Sequence, residues 1–182
     1  QGSDVILSPE MRSTGEVMGI DINVGLAFLK SQIAAGNAIP LSGGVFVSVR
    51  DEDKPRAVLL AKRLQKLGFA IYATNGTSTT LRNNDIPSQA AFRISAGRPH
   101  VIDLMAENRV NWLVNTPTAG ETPMLDEVKM RSESVGRGIP ITTTINGMEA
   151  ALDGLESFVK SQRLEVCSIQ EYHRHAPRLK IK

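Results

Sequence analysis

The sequence predicts an α/β fold, a parallel sheet of five short strands with helices between them, and three observations carry that prediction. From position 45 onward, apolar runs alternate with helical patterns about every 25 residues, the rhythm of strand–helix–strand units joined by right-handed crossovers. The runs are short and read as buried strands, as in Val45-Phe46-Val47-Ser48-Val49. Gly and Pro punctuate the pattern where helices stop and start, with Gly68 and Gly136 at ends and Pro55, Pro99 and Pro123 at beginnings.

Residues 8–36 depart from this rhythm. Ser8-Pro9-Glu10-Met11 and Ser13-Thr14-Gly15-Glu16 are turn-rich, and Asn23 then caps a helix that places Val24, Ala27, Phe28 and Leu29 on one side and stops at Gly36. Ile39-Pro40-Leu41-Ser42-Gly43-Gly44 reads as a linker. After the strand at 45–49, a helix begins near Asp53-Lys54-Pro55, turns Leu60, Leu64 and Leu67 to one face, and ends at Gly68. A second strand covers 70–73 and a helix runs from about 77 to 83. A weaker strand covers 89–94, and Pro99 opens a helix with Val101, Leu104 and Met105 at helical spacing and Asp103 capping nearby groups. The strand at 112–115 leads to a helix starting at Thr122-Pro123 with Leu125, Val128 and Val135 inward. A fifth strand at 139–142 comes next; Asn146 with Glu149 is a capping-box-like helix start, and Met148, Ala151, Leu155 and Phe158 form that helix's apolar stripe. Residues 165–172 read as a last extended piece.

Composition narrows the functional classes. A chain of 182 residues with 41% hydrophobic and 22% charged residues fits one globular domain, or one domain plus an appendage. A net charge of +2, dispersed along the chain, and 4% aromatics argue against nucleic-acid binding. The single Cys167 excludes an intrachain disulfide, suits a reducing compartment and reads as packed rather than reactive. No apolar run approaches the ~18 residues of a membrane span. Gln1-Gly2-Ser3 reads as the scar of a cleaved tag.

Four predicted strand ends carry hydroxyl, amide or basic residues: Ala73-Thr74-Asn75-Gly76-Thr77, Gly97-Arg98-Pro99-His100, Asn115-Thr116-Pro117 and Thr142-Thr143-Thr144. In open parallel sheets, ligands sit outside the carboxyl ends of the strands, and helix N-termini there attract anions. Each segment alone is an ordinary loop; together they outline an anion-binding rim. Lys54 and Arg93 are candidate phosphate-neutralising charges, and otherwise solvated surface cations. The acidic run Asp51-Glu52-Asp53 reads as a solvated helix start. His173-Arg174-His175 lies in a basic tail without ligand spacing for a metal, so no metal site is expected. GxGxxG after the first strand, GxxxxGK[ST], CxxC and GxSxG are all absent, and no catalytic set assembles.

Pro9-Glu10-Met11-Arg12-Ser13-Thr14-Gly15-Glu16-Val17-Met18-Gly19, then Ser48-Val49-Arg50-Asp51-Glu52-Asp53-Lys54 and the strand-end segments in order, resemble the C-terminal end of the carbamoyl-phosphate synthase large chain. The resemblance implies four parts: the scar at 1–3, the end of an ATP-grasp domain at 4–37, a methylglyoxal-synthase-like allosteric domain at 38–172, and a basic tail at 173–182. It implies a three-layer α/β/α Rossmann-like fold with a five-stranded parallel sheet. It further implies a UMP- or IMP-like nucleotide effector, with ornithine as a further effector, held by Lys54, Thr74, Gly76, Thr77, Arg93, Asn115, Thr116, Thr143 and Thr144. Arg93 stands where the bacterial pattern often has Lys, Pro117 replaces a hydroxyl residue, and Ile141 falls where some members carry a Tyr. The parent ligase would be cytoplasmic and oligomeric. It would use ATP and Mg2+ or Mn2+ with a small glutaminase subunit, while this fragment would hold no cofactor and no catalytic residue. The enzymatic alternative, methylglyoxal synthase, needs a carboxylate base beside the phosphate. Glu121 is the candidate after the Asn115 strand end, at unsuitable spacing. A structural domain with a degenerate pocket is the third possibility.

Overall fold

The computed structural model describes residues 17–92, 94–117 and 121–175, with side chains omitted at 121–124 and 175. The run at 8–16, Arg93, the stretch 118–120 and the tail from 176 lie outside the described residues.

Five strands form one sheet: β1 (Gly44–Ser48), β2 (Ala70–Thr74), β3 (Gln89–Ala91), β4 (Trp112–Asn115) and β5 (Ile141–Thr142). Their order is β3-β2-β1-β4-β5 and every pairing is parallel, with Val45 beside both Ile71 and Trp112. The chain builds outward from β1 to β3 and then returns to the other side of β1, so a topological switch point lies between β1 and β4.

Helices cover both faces: α1 (Val24–Ala34), α2 (Lys54–Lys66), α3 (Asn75–Arg82), α4 (Val101–Ala106), α5 (Glu121–Gly136) and α6 (Ile145–Ser161), with α7 (Ile169–His175) at the C-terminal side. Successive residues of a strand point to opposite faces, and β1 shows the consequence. Val45 and Val47 join Leu29, Leu60, Leu64, Leu81, Met148 and Leu152 in one core. Phe46 joins Leu104, Met105, Leu113, Met130 and Ile141 in the other. The result is the three-layer α/β/α arrangement.

Caps and turns match the sequence at several points. Asn23 Oδ1 accepts the Leu26 N–H at 3.0 Å, Pro55 sits in the first turn of α2, and Gly68 takes φ +84° where that helix ends. Asp103 accepts the His100 N–H at 3.0 Å and fixes the start of α4, which begins at Val101 rather than at Pro99. Glycine lets α1 cross α6 closely: a Cβ on Gly25 would lie 2.5 Å from the Gly154 N.

Other expectations are corrected. Val24 points to solvent, because α1 buries Gly25 and Leu29 instead. The supposed linker at 39–44 buries Ile39 and already contains the first residue of β1. Strand β3 stops at Ala91, short of the expected 94. On α5 the apolar residues Leu125, Val128 and Val135 face outward, while Met130 and Ser134 are buried. The inward face carries polar groups that serve the sheet's rim, as when Arg131 Nε donates to Asn115 Oδ1 at 3.3 Å. Asn146 and Glu149 do not cap α6; both accept from Arg56, and Thr144 takes the cap. Residues 165–172 are not a strand. They run irregularly into α7, started by a capping box in which Ser168 Oγ accepts the Glu171 N–H at 3.3 Å and Glu171 Oε2 accepts the Ser168 N–H at 2.7 Å. Cys167 is exposed rather than packed.

The N-terminal described segment is tied to α7 through Lys30. Its ammonium donates to Asp21 Oδ2 at 2.6 Å, the Ile20 carbonyl at 3.1 Å and the Tyr172 hydroxyl at 2.9 Å. Burial alone would raise the Asp21 pKa, but hydrogen bonds from Lys30 and from the Asn23 N–H outweigh it and hold the carboxyl below its usual range. Among the described residues no helix is long and apolar enough to cross a membrane.

Candidate anion-binding cleft

A cleft of about 400 Å³ opens at the carboxyl ends of β1 and β2 and beside the segment after β3. Its position results from the parallel topology, since every strand delivers its C-terminal residue to the same edge. Phe46, Val49, Phe92, Ile94, Val101 and Met130 give it apolar walls.

The first polar wall is built from the exit of β1. Here the Arg50 N–H donates to Thr116 Oγ1 at 3.0 Å, and the Thr116 N–H donates to the Ser48 carbonyl at 3.0 Å. Arg50 Nε also reaches Asp53 Oδ2 at 2.9 Å, closing the 3₁₀ turn Asp51–Asp53. That turn sets the start of α2, and so the root of the Lys54 side chain. Lys54 lies across the cleft toward the end of β2: a Cβ built on Gly76 would come 3.4 Å from its Nζ.

At that point β2 passes directly into α3. Thr74 holds the N-cap position, yet its side chain makes no capping bond; its Oγ1 donates instead to Thr77 Oγ1 at 3.2 Å. The first N–H groups of a helix have no partners within it, and they carry the positive end of its dipole. An ammonium fixed over an uncapped helix start, with hydroxyls beside it and a glycine permitting close approach, is chemically an anion cradle. The nearest carboxylate to this ammonium among the described residues is Asp51, whose Oδ1 lies 2.6 Å from Lys54 Nζ. The hydrogen bond from Lys54 holds the Asp51 carboxyl below its ordinary value.

The facing wall is acidic. Asp126 and Glu127 of α5 line it, and Asp126 Oδ2 accepts from the Ser95 N–H at 3.3 Å and from its Oγ at 2.8 Å. This contact fastens the segment after β3 to α5 across the mouth of the cleft.

The structure therefore brings together Lys54, Thr74, Gly76 and Thr77. Asn115 and Thr116, at the end of β4, are not part of the cleft lining: both are buried, with their polar groups engaged by Ser48, Arg50 and Arg131. Thr143 and Thr144 stand at the end of β5, outside the cleft lining, and Thr144 caps α6. Arg93 lies outside the described residues, as does the side chain of Glu121. Sequence reasoning missed Asp126, for which no local motif exists, and the pairing of Asp51 with Lys54. The latter had a signal, since residues three apart at a helix start lie on one side. Among the described residues, no group of three or more His, Cys, Asp or Glu is placed to hold a metal ion.

Comparison with known proteins places the fold in a family. A family model described as an MGS-like domain matches residues 56–143. This chain carries an MGS-like domain. The domain and its flanks are 42% identical over 173 residues, 95% of the chain, to the carbamoyl phosphate synthase large chain of Methanothrix thermoacetophila. The large chain of Myxococcus xanthus is 43% identical over 171 residues, 94% of the chain. These matches cover 16% of each relative. The "Carbamoyl phosphate synthase large chain, C-terminal section" of Methanopyrus kandleri is 40% identical over 173 residues, which is 95% of this chain and 32% of that protein. The chain thus spans only a minor part of the curated relatives it matches.

Proposed function

We propose that this MGS-like domain is the regulatory part of a carbamoyl phosphate synthase large chain, and that its cleft binds the phosphate of a nucleotide effector such as UMP or IMP. The observation that carries the reading is the Lys54 ammonium held over the uncapped first turn of α3. The phosphate would take the α3 N–H groups, the Thr74 and Thr77 hydroxyls and Lys54. The apolar walls formed by Val49, Phe92, Ile94 and Met130 would cover the nucleoside, and the carboxylates of Asp126 and Glu127 would accept from its hydroxyl or N–H donors. Asn115 and Thr116 act as positioning residues in this reading, because they lace β4 to the turn that roots Lys54.

Regulation then requires only that the effector prefer one conformation of the domain and its attached partners, and the shift is limited by that difference in affinity. The rest of the large chain, a small glutaminase subunit, ATP and a divalent metal would supply synthesis of carbamoyl phosphate in the parent ligase.

A thermal-shift screen of UMP, IMP, UTP, ornithine and inorganic phosphate tests the reading. A ligand at 100 times its Kd adds about 2.7 kcal/mol, which for a chain of this size raises Tm by roughly 5–10 °C. A nucleoside monophosphate giving such a rise is the expected result. No shift with any phosphate compound, or formation of methylglyoxal from dihydroxyacetone phosphate by the purified chain, would contradict it.

A further inference from the structure

Lys54 is already engaged. Its Nζ lies 2.6 Å from Asp51 Oδ1, three residues before it on the 3₁₀ turn, so the cation at the heart of the cleft carries its own internal anion. The other two acidic residues of that turn look elsewhere: Asp53 takes Arg50 Nε at 2.9 Å, and Glu52 lies 3.6 Å from the same atom. Asp51 is thus the carboxylate dedicated to Lys54 among the described residues.

The two partners are unequally fixed. The Lys54 side chain is only 23% exposed and its tip sits over Gly76, whereas the Asp51 side chain is 90% exposed. The lysine cannot leave the cradle without rearranging its surroundings. The carboxylate can swing into water, which solvates it at once. An incoming dianion therefore meets a cation that stays and a competitor that is free to go.

We propose that Asp51 is an affinity-setting residue, an intramolecular competitor that holds Lys54 when the cleft is empty and that a phosphate group must displace. The proposal rests on the cleft being a phosphate site. It adds that the affinity of that site is held down by the chain's own carboxylate rather than by a shortage of donors. The ligand class it selects is a dianionic phosphoryl group, which outbids one carboxylate for the ammonium because it also takes the N–H groups of α3. A monoanionic carboxylate ligand can also accept those N–H groups, but it brings one charge fewer and fewer oxygens to span them and the ammonium, so its gain is smaller.

Calorimetric titration of inorganic phosphate and of UMP, at one fixed ionic strength, tests this on the whole chain with Asp51→Asn, Glu52→Gln, Lys54→Met and the Asp51→Asn/Lys54→Met pair. An exposed ion pair is a weak competitor, so Asp51→Asn is expected to bind both probes only about two- to fivefold more tightly. Glu52→Gln removes the same charge one residue on and should change affinity much less. In the double variant the gain should vanish, since the competition it relieves needs Lys54. Thermal melts confirm folding of each variant, and Asp51→Asn, altering an exposed side chain, serves as the readout even if Lys54→Met is unstable. If Lys54→Met weakens phosphate while Asp51→Asn binds no better than the parent sequence, the phosphate site stands and the competitor is overturned. An equal gain from Glu52→Gln, or a gain that persists without Lys54, also overturns it, because a general charge effect would then suffice. If neither the parent sequence nor Asp51→Asn binds either probe, both the site and the competitor fall.

Discussion

At the end of β2, Thr74 leaves the first turn of α3 uncapped, whereas at the end of β5 Thr144 Oγ1 accepts the Gly147 N–H at 3.0 Å and closes the first turn of α6. Both helices start at the same edge of one parallel sheet, and both come after a strand that ends in threonine. The difference lies in what the hydroxyl does. Thr74 turns to Thr77 and leaves backbone donors facing a cavity with a lysine over it. At the closed end, Thr142 Oγ1 accepts from the buried Trp112 indole at 3.0 Å, and Asn115 takes Arg131. Residue type at a strand end is therefore not enough to define a ligand site. Whether the donors are already satisfied within the chain decides it.

That contrast can be broken from either side. The largest effect is expected at the open end. Replacing Lys54 by Met removes charge-assisted bonds worth about 1.5–3 kcal/mol, a ten- to hundredfold loss of phosphate affinity by calorimetry, with the melting temperature little changed. At the closed end the order reverses. Asn115→Ala leaves buried partners unsatisfied and should cost about 1–3 kcal/mol in urea unfolding, with any loss of phosphate binding traced to the displaced Arg50 turn. Thr144→Ala removes a helix cap and should cost about 1 kcal/mol of stability without weakening phosphate binding.

The smallest effect concerns the tie between the two ends. Arg63 of α2 grips Glu156 of α6 through Nε at 2.8 Å and a terminal nitrogen at 2.9 Å, and also meets Asp153. The hydrogen bond from Arg63 holds the Glu156 carboxyl below its ordinary value of 4.5. A depressed carboxylate pKa contributes stability that is present above the unfolded value and lost as pH falls through the folded one. Arg63→Met should therefore cost about 0.5–1 kcal/mol at pH 7 for a partly exposed pair, and that difference should shrink as urea melts are repeated below about pH 4. A difference independent of pH would show that the packing of the arginine stem, and not the ion pair, links α2 to α6.

The five strands, the parallel sheet and most helices were legible in the sequence because apolar runs and Gly or Pro punctuation report burial and chain reversal directly. The exceptions have physical causes. On α5 the pattern of Leu125, Val128 and Val135 marks an apolar face but not which way it turns, and the inward face carries Arg131, which reaches the rim at Asn115, and Ser134, whose hydroxyl meets the Met105 sulfur. Residues 165–172 look extended by composition, yet Ser168 and Glu171 form a capping box that the sequence did display. Of the candidate site, Lys54, Thr74, Gly76 and Thr77 were visible as strand-end chemistry. The division between open and closed ends was not, because it depends on contacts such as Trp112 with Thr142 that join residues 30 positions apart. Asp126 reaches the cleft from a helix whose sequence carries no motif at all.

The central claim, that the anion site is the open start of α3, is tested most directly by tracking backbone amide resonances while phosphate or UMP is added. The account predicts saturable shifts at Gly76 and Thr77, with the amides of Asn146 and Gly147 at the start of α6 unmoved. Shifts at α6 with none at α3, or no saturable shift at either helix, would contradict it.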